Sequence, residues 1–382
     1  LAVYRRAAKA DSVQQRRPNV VLIMMESMSA EFMKHFGQSE TLTPFLDSLY
    51  TRSISFRNFY SAGIHTNHGL YATLYSFPAM MKRNLMKGSV IPRYSGLPTV
   101  LKENGYYNLF FMTHEGQYDN MNAFFRTNGY DEVFSQEDYP ADKVGNSFGV
   151  QDDFLYDYAI PVLNQRAATG QPFFATLLSI SNHPPYVIPP FFHPKTSEPE
   201  TQIVEYADWA LRQFFEEARK QPWFDNTIFV LEGDHGKLVG DAECELPESY
   251  NHIPLMIYSS RIQPEEKTTF GGQVDIQPTI LGLLNIDYLQ NNFGVDLLKE
   301  ERPCMFYTAD NMVVGRNDTL LYLYNYETQQ ELTYDIGNGK LNAVPMDDSF
   351  LPLKEYSFSM LQSAEFLVKH GKTLNSIPFT QQ

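Results

Sequence analysis

Short apolar runs recur along this chain, each closed by small and polar residues, and the segments between them carry apolar positions three or four apart. The first run, Val20-Val21-Leu22-Ile23-Met24-Met25, is β-branched at its front and has no polar alternation, so it predicts a strand buried on both faces. Similar runs predict strands over 54–60, 107–112, 172–180, 227–231 and 253–259. Helical spacing predicts helices over 43–49, 70–74, 97–104, 119–127, 152–165, 198–220 and 275–284. Thr43 is the expected N-cap of the first, with Pro44 at the first helical position; Gly105 and Gly129 close two others, and a Gly-Gly turn precedes the last. Ser27 or Ser29 is the candidate cap of a further helix from near Ala30.

Strands that alternate with helices predict an α/β fold, doubly wound, with a mainly parallel central sheet and helices on both faces. Beyond about Pro303 the pattern changes. Short strands over 321–324 and 331–334, with Asn338-Gly339 after the second, predict a small antiparallel sheet, and a helix follows over 353–370. The expected division is a linker or juxtamembrane segment over 1–17, a catalytic α/β domain over 18–300, and a C-terminal α+β subdomain over 301–382 packed on it.

Composition narrows the function classes. The net charge is −15 and no basic tract is long enough to follow a phosphate backbone, which excludes nucleic acid as the expected partner. Aromatic residues make up 14% of the chain, which suits carbohydrate, lipid or glycerol-like ligands and equally a thick aromatic core. The two cysteines, Cys244 and Cys304, allow one disulfide without establishing it, and fit a cytosolic or a periplasmic enzyme alike. No apolar run approaches the roughly 20 residues needed to cross a bilayer. The chain starts at Leu1 with a basic, polar stretch from Arg5 to Arg17, which fits a segment just beyond a membrane portion.

The candidate chemistry sits at strand ends, where parallel sheets bind ligands. Glu26 ends the first run, Thr66 lies in the polar turn after 54–60, and Gly233-Asp234-His235-Gly236 follows the run at 227–231. Singly, each has a plainer use: Glu26 near a helix start, Asp234 as a cap, His235 in a core, Thr66 starting a helix. Jointly, two carboxylates, an imidazole and a hydroxyl form an O/N set suited to Zn²⁺ or Mn²⁺ with a position open for substrate. A metal there lowers the pKa of a bound hydroxyl, and Thr66 is a weak nucleophile that needs such activation. His65 and His68 flank it, as substrate contacts or as ordinary polar residues at a helix start.

These pieces resemble the alkaline phosphatase/sulfatase superfamily, and within it the lipoteichoic acid synthase and phosphoglycerol transferase branch. The matching segments are Asn19 through Ser27, Gly63-Ile64-His65-Thr66, His114 through Arg126 with Gly129-Tyr130-Asp131, Ser181-Asn182-His183-Pro184-Pro185-Tyr186, Thr227 through Gly236, and His252-Ile253-Pro254-Leu255. The resemblance implies that Glu26, Thr66, Asp234 and His235 hold a metal, usually Mn²⁺, with Zn²⁺ or Mg²⁺ as alternatives, and that Thr66 is the nucleophile. It implies that His114, Arg126 and His183 handle a glycerol-phosphate group or the leaving alkoxide; His68, in a segment after Thr66 that departs from the family's pattern, is a candidate substrate contact by its place beside the nucleophile alone. Thr66-Asn67-His68-Gly69 lacks the Cys/Ser-x-Pro-x-Arg of sulfatases, and Glu26-Ser27 stands where they carry paired aspartates, so sulfate-ester hydrolysis is the weaker expectation.

The implied activity is metal-dependent phosphoglycerol transfer from a phosphatidylglycerol-type lipid through a phospho-threonine, with a glycan or glycerol-phosphate acceptor. A phosphoethanolamine transferase, a phosphodiesterase, a sulfatase or a non-catalytic ligand-binding relative are the alternatives on this scaffold. The resemblance also implies a cell-membrane protein whose catalytic domain is extracytoplasmic, behind N-terminal membrane helices.

Overall fold

The computed structural model describes residues 3–5, 17–337 and 339–375. The linker expected over 1–17 therefore lies mostly outside the described residues, as does Asn338 of the expected turn. Eight strands form the central sheet: β1 (Asn19–Met25), β2 (Ile54–Tyr60), β3 (Tyr107–Phe111), β4 (Glu132–Phe134), β5 (Phe173–Leu178), β6 (Thr227–Gly233), β7 (Leu255–Tyr258) and β8 (Glu265–Gly272). Their order is β8-β2-β7-β6-β1-β5-β3-β4. All pair in parallel except β7, which runs antiparallel to both β6 and β2.

All seven residues of β1 are buried, and its period of two divides them between two cores. Val21, Ile23 and Met25 join one core with α1 (Pro44–Tyr50), α5 (Asp152–Ala168) and α6 (Pro199–Ala218). Val20, Leu22 and Met24 join the other with α2 (Thr66–Tyr75), α3 (Leu97–Glu103), α4 (Met121–Thr127) and α7 (Ile276–Leu283). A strand with helices on both faces has no wet side, which is why its sequence is uniformly apolar.

A second sheet is an antiparallel meander of β9 (Met305–Thr308), β10 (Met312–Arg316), β11 (Leu320–Asn325), β12 (Gln330–Gly337) and β13 (Lys340–Ala343), with α8 (Leu351–Lys369) across β9 and β10. The buried Arg302 grips Asp275 at 2.6 Å ahead of α7, and the Thr308 amide donates to the Ala62 carbonyl at 3.0 Å. The second sheet is thereby tied to the turn that leads into α2.

Several local expectations are corrected. Helix α2 begins at Thr66, not Leu70, because packing of Gly69 overrides the weak helix propensity of Asn67-His68-Gly69. Gly271-Gly272 is not a turn; it ends β8, an edge strand that opens on exposed, charged Glu265-Glu266 and so shows no apolar run. Neither Ser27 nor Ser29 caps a helix: the turn at Ala30–Phe32 has no side-chain cap, and both hydroxyls bond elsewhere. The Thr43 hydroxyl donates to Asp47 and to the Phe32 carbonyl instead of receiving a helix amide, although Pro44 does open α1. Both cysteine thiols are free.

Candidate active site

The carboxyl ends of β1 and β6 lie side by side in register, Met25 opposite Gly233, so the residues that follow them meet. Glu26, Asp234 and His235 offer ligand atoms within 4.8 Å of one another, and both carboxylates are buried. The backbone fixes them. The Asp234 amide donates to the Met25 carbonyl at 3.0 Å, and Asp234 Oδ1 accepts from the amides of Ser27 at 2.8 Å and His235 at 2.7 Å. Ser27, held at a positive φ of 49°, donates its hydroxyl to Glu26 Oε1 at 2.6 Å.

The residues fit a divalent metal. Asp234 Oδ2 is buried with no hydrogen-bond partner, a costly arrangement for a carboxylate oxygen unless a cation takes it. His235 Nδ1 lies 2.7 Å from the Gly236 carbonyl, to which it donates, and this turns Nε2 toward the acids, 3.6 Å from both Glu26 Oε1 and Asp234 Oδ2. Burial, and then the charge of Asp234, pushes the Glu26 carboxyl well above the usual range.

Thr66 is the first residue of α2, where the leading amides have no partner within the helix. Its hydroxyl donates to Glu26 Oε2 at 3.4 Å. Gly69 explains this closeness. A Cβ there would lie 2.1 Å from the Asp234 carbonyl oxygen, so only glycine lets the first turn of α2 rest against the loop after β6. Gln273 adds a clamp, donating to the carbonyls of Gly233 and Asp234 while accepting from the Ala62 amide.

Glu26, Thr66 and His235 line a cleft of about 690 Å³, and Asp234 is fully buried beside them. His183 lines it, half-buried, its ring tilted over Phe148 at 4.1 Å and its Nδ1 2.6 Å from the Pro184 carbonyl. His114 lies one ring away, buried, 4.7 Å from the cleft residue Tyr118; burial lowers its pKa, so the ring is neutral at pH 7. His68 is buried beneath the turn, with its pKa pushed down to about 4 by burial and by His65, and contacts Gly63 and Tyr71 instead of lining the cleft. Arg126 lies outside the cleft, its guanidinium donating to Asn122 Oδ1 at 2.7 Å and to the Val133 carbonyl.

Two features escaped the sequence reading. Lys237, just past the Gly-Asp-His-Gly turn, lines the cleft and donates to Asn182 Oδ1 and the Tyr186 hydroxyl. Its proximity to the motif was the available signal. Asp310, from the second sheet, meets the cleft residue His65 at 2.6 Å; nothing local in the sequence marks a contact that spans so much of the chain.

The chain is similar to known proteins. The chain is 24% identical over 315 residues to lipoteichoic acid synthase 2 of Bacillus subtilis, covering 74% of this chain and 47% of that protein. It is 26% identical over 322 residues to phosphoglycerol transferase I of Xanthomonas campestris, covering 79% of this chain and 46% of that protein. The chain thus spans about half the length of these curated relatives. Among solved structures, an alkaline phosphatase superfamily protein from Vibrio parahaemolyticus superposes with a TM-score of 0.86 at 27% identity, over 97% of this chain and 90% of that one. The lipoteichoic acid synthase LtaP from Listeria monocytogenes gives 0.77 at 22% identity over 92% of each. The model of the sulfatase family matches residues 18–286, most of the chain and every strand of the central sheet, and the protein belongs to that family.

Proposed function

We propose that this chain is a phosphoglycerol transferase that takes its group from a phosphatidylglycerol-type lipid and carries it on Thr66. The observation that carries this reading is the hydroxyl of Thr66 at the N-terminus of α2, 3.4 Å from a buried carboxylate of a Glu26/Asp234/His235 cluster. The curated relatives named for lipoteichoic acid synthesis and phosphoglycerol transfer support it.

A divalent ion, Mn²⁺ by family resemblance, held by Glu26, Asp234, His235 and the Thr66 hydroxyl would acidify that hydroxyl and offset charge on the phosphoryl oxygens. The chain's own residues do the rest. Thr66 Oγ, its proton given up to solvent, attacks phosphorus; the Oγ–P bond forms as the bond from phosphorus to the lipid glycerol oxygen breaks, and attack by the acceptor oxygen later breaks the Oγ–P bond and returns the oxygen to Thr66. The leading amides of α2 face the phosphoryl oxygens as donors. His183, hydrogen-bonded through Nδ1, protonates the departing alkoxide through Nε2 and later takes the proton of the acceptor hydroxyl, a glycan or glycerol-phosphate alcohol. His114, neutral, supplies a hydrogen bond and no charge.

In this reading residues 18–300 are the catalytic domain, 301–382 a subdomain packed on it, and the reaction runs at the outer face of the cell membrane. No helix among the described residues is long and apolar enough to cross a membrane. The deciding experiment incubates the purified chain with head-group-labelled phosphatidylglycerol and Mn²⁺ and reads the label on Thr66 by mass spectrometry. Label that never becomes protein-bound, while water-soluble glycerol phosphate accumulates at once, would make the chain a direct hydrolase.

A further inference from the structure

Three strand-end loops converge on one ammonium. Lys237, from the loop after β6, has its amide 2.8 Å from Ser29 Oγ, in the loop after β1. Its Nζ donates to Asn182 Oδ1 at 2.5 Å and to the Tyr186 hydroxyl at 3.0 Å, both in the loop after β5. The charge also lies 4.6 Å from the centre of the Tyr186 ring and 5.3 Å from that of Phe32. Every partner is neutral. Glu26 and Glu200 act on the ammonium across the cleft without forming an ion pair with it.

This arrangement suits a ligand more than the fold. A half-buried lysine that only stabilised structure would gain most from a carboxylate partner, as Arg302 does from Asp275. Lys237 is instead held in place by an amide oxygen, a phenol and two ring faces, which fix its position and leave its charge uncancelled. It opens on the same cleft as Thr66.

Building on the phosphoryl-transfer reading, we propose that Lys237, positioned by Asn182 and Tyr186, is the anion-binding residue of this cleft and takes a phosphate oxygen of the substrate. The oxygen belongs to a lipid headgroup or to free phosphate, and the two are separated by experiment.

The test uses the full chain loaded with Mn²⁺ and the variants Lys237→Met and Lys237→Arg. Calorimetry reads binding of inorganic phosphate; turnover is read on vesicles of phosphatidylglycerol in phosphatidylcholine. Loss of a charge-assisted hydrogen bond weakens binding by about 10- to 100-fold. Lys237→Met is expected to raise the phosphate Kd, the lipid KM, or both, by that factor while kcat falls less, with Lys237→Arg recovering most of the loss. A change in phosphate Kd alone assigns the subsite to free phosphate; a change in lipid KM assigns it to the headgroup. If the parent chain is active and Lys237→Met leaves both constants unchanged, the proposal is overturned and the transfer reading stands. If the parent chain neither binds phosphate nor turns over lipid, both fall. Should Lys237→Met melt early, Tyr186→Phe, which frees the ammonium on one side, decides by the same constants: a rise supports the subsite and none overturns it.

Discussion

Replacing Glu26 with Gln tests whether the acid pair at the end of β1 and β6 exists to hold a cation. The carboxylates of Glu26 and Asp234 offer oxygens within 4.8 Å of each other, both buried. Two full charges at that separation repel by roughly 3.5 kcal/mol at an effective dielectric of 20. In the metal-free chain this repulsion adds to burial in holding the Glu26 pKa well above its unfolded value. The folded state then binds a proton more tightly than the unfolded one. The stability from that proton is complete below the unfolded pKa and is lost as pH rises through the folded pKa, by at most about 1.4 kcal/mol per pH unit. Glu26→Gln removes the titration and the repulsion, and the neutral amide retains an oxygen for the Ser27 hydroxyl.

The assay is thermal melting from pH 5 to 9, in chelator and in excess Mn²⁺. At about 2.1 cal/mol/K per residue, a chain of 382 residues has an unfolding entropy near 0.8 kcal/mol/K, so relief of the full repulsion is worth up to about 4 °C. In chelator the variant is expected to match the parent at low pH and to exceed it as pH rises. Mn²⁺ at a hundred times Kd contributes about 2.7 kcal/mol, near 3 °C, to the parent and little to the variant, and the parent's gain grows with pH. A variant that melts with the parent at every pH in chelator, and gains as much from Mn²⁺, would refute the reasoning.

Other outcomes are equally checkable. Thr66→Ala is expected to abolish the labelled protein adduct while leaving the Mn²⁺-induced rise in melting temperature largely intact; an adduct that persists places the nucleophile elsewhere. His183→Ala is expected to lower kcat about 10²- to 10⁴-fold, with the loss smallest for substrates whose leaving group needs no proton. Gly69→Ala drives a methyl into the Asp234 carbonyl, so α2 has to retreat and transfer falls, even though alanine favours the helix; chemical denaturation read alongside activity separates the two effects. Arg302→Leu leaves Asp275 charged and unpaired in the core and should cost about 3–5 kcal/mol in denaturant unfolding.

The sequence by itself determined the strands buried on both faces, since such strands can be written only in apolar residues: β1, β5 and β6 stand within a few residues of their expected bounds. It also marked the acids and the imidazole at the ends of β1 and β6, because parallel winding sends those ends to one edge. Edge strands were hidden. β4 has three residues and β8 is charged at its start, so neither carries an apolar signature. The direction of β7 was hidden as well, because a buried strand has the same composition whichever way it runs. Tertiary structure alone decided which polar groups reach the cleft. Arg126 occupies a segment that resembles a family site and His68 follows the candidate nucleophile by two residues, yet the path of α4 and the burial under Gly63 take them away from the cleft. Lys237 lines it because the loop after β6 ends there, and Asp310, in the loop after β9, meets the cleft residue His65. A hydrophobic pattern records which side of an element is buried. The distance between two side chains far apart in the chain depends on how those buried sides pack, and here that distance sets Thr66 against Glu26 and leaves an unpaired ammonium beside them.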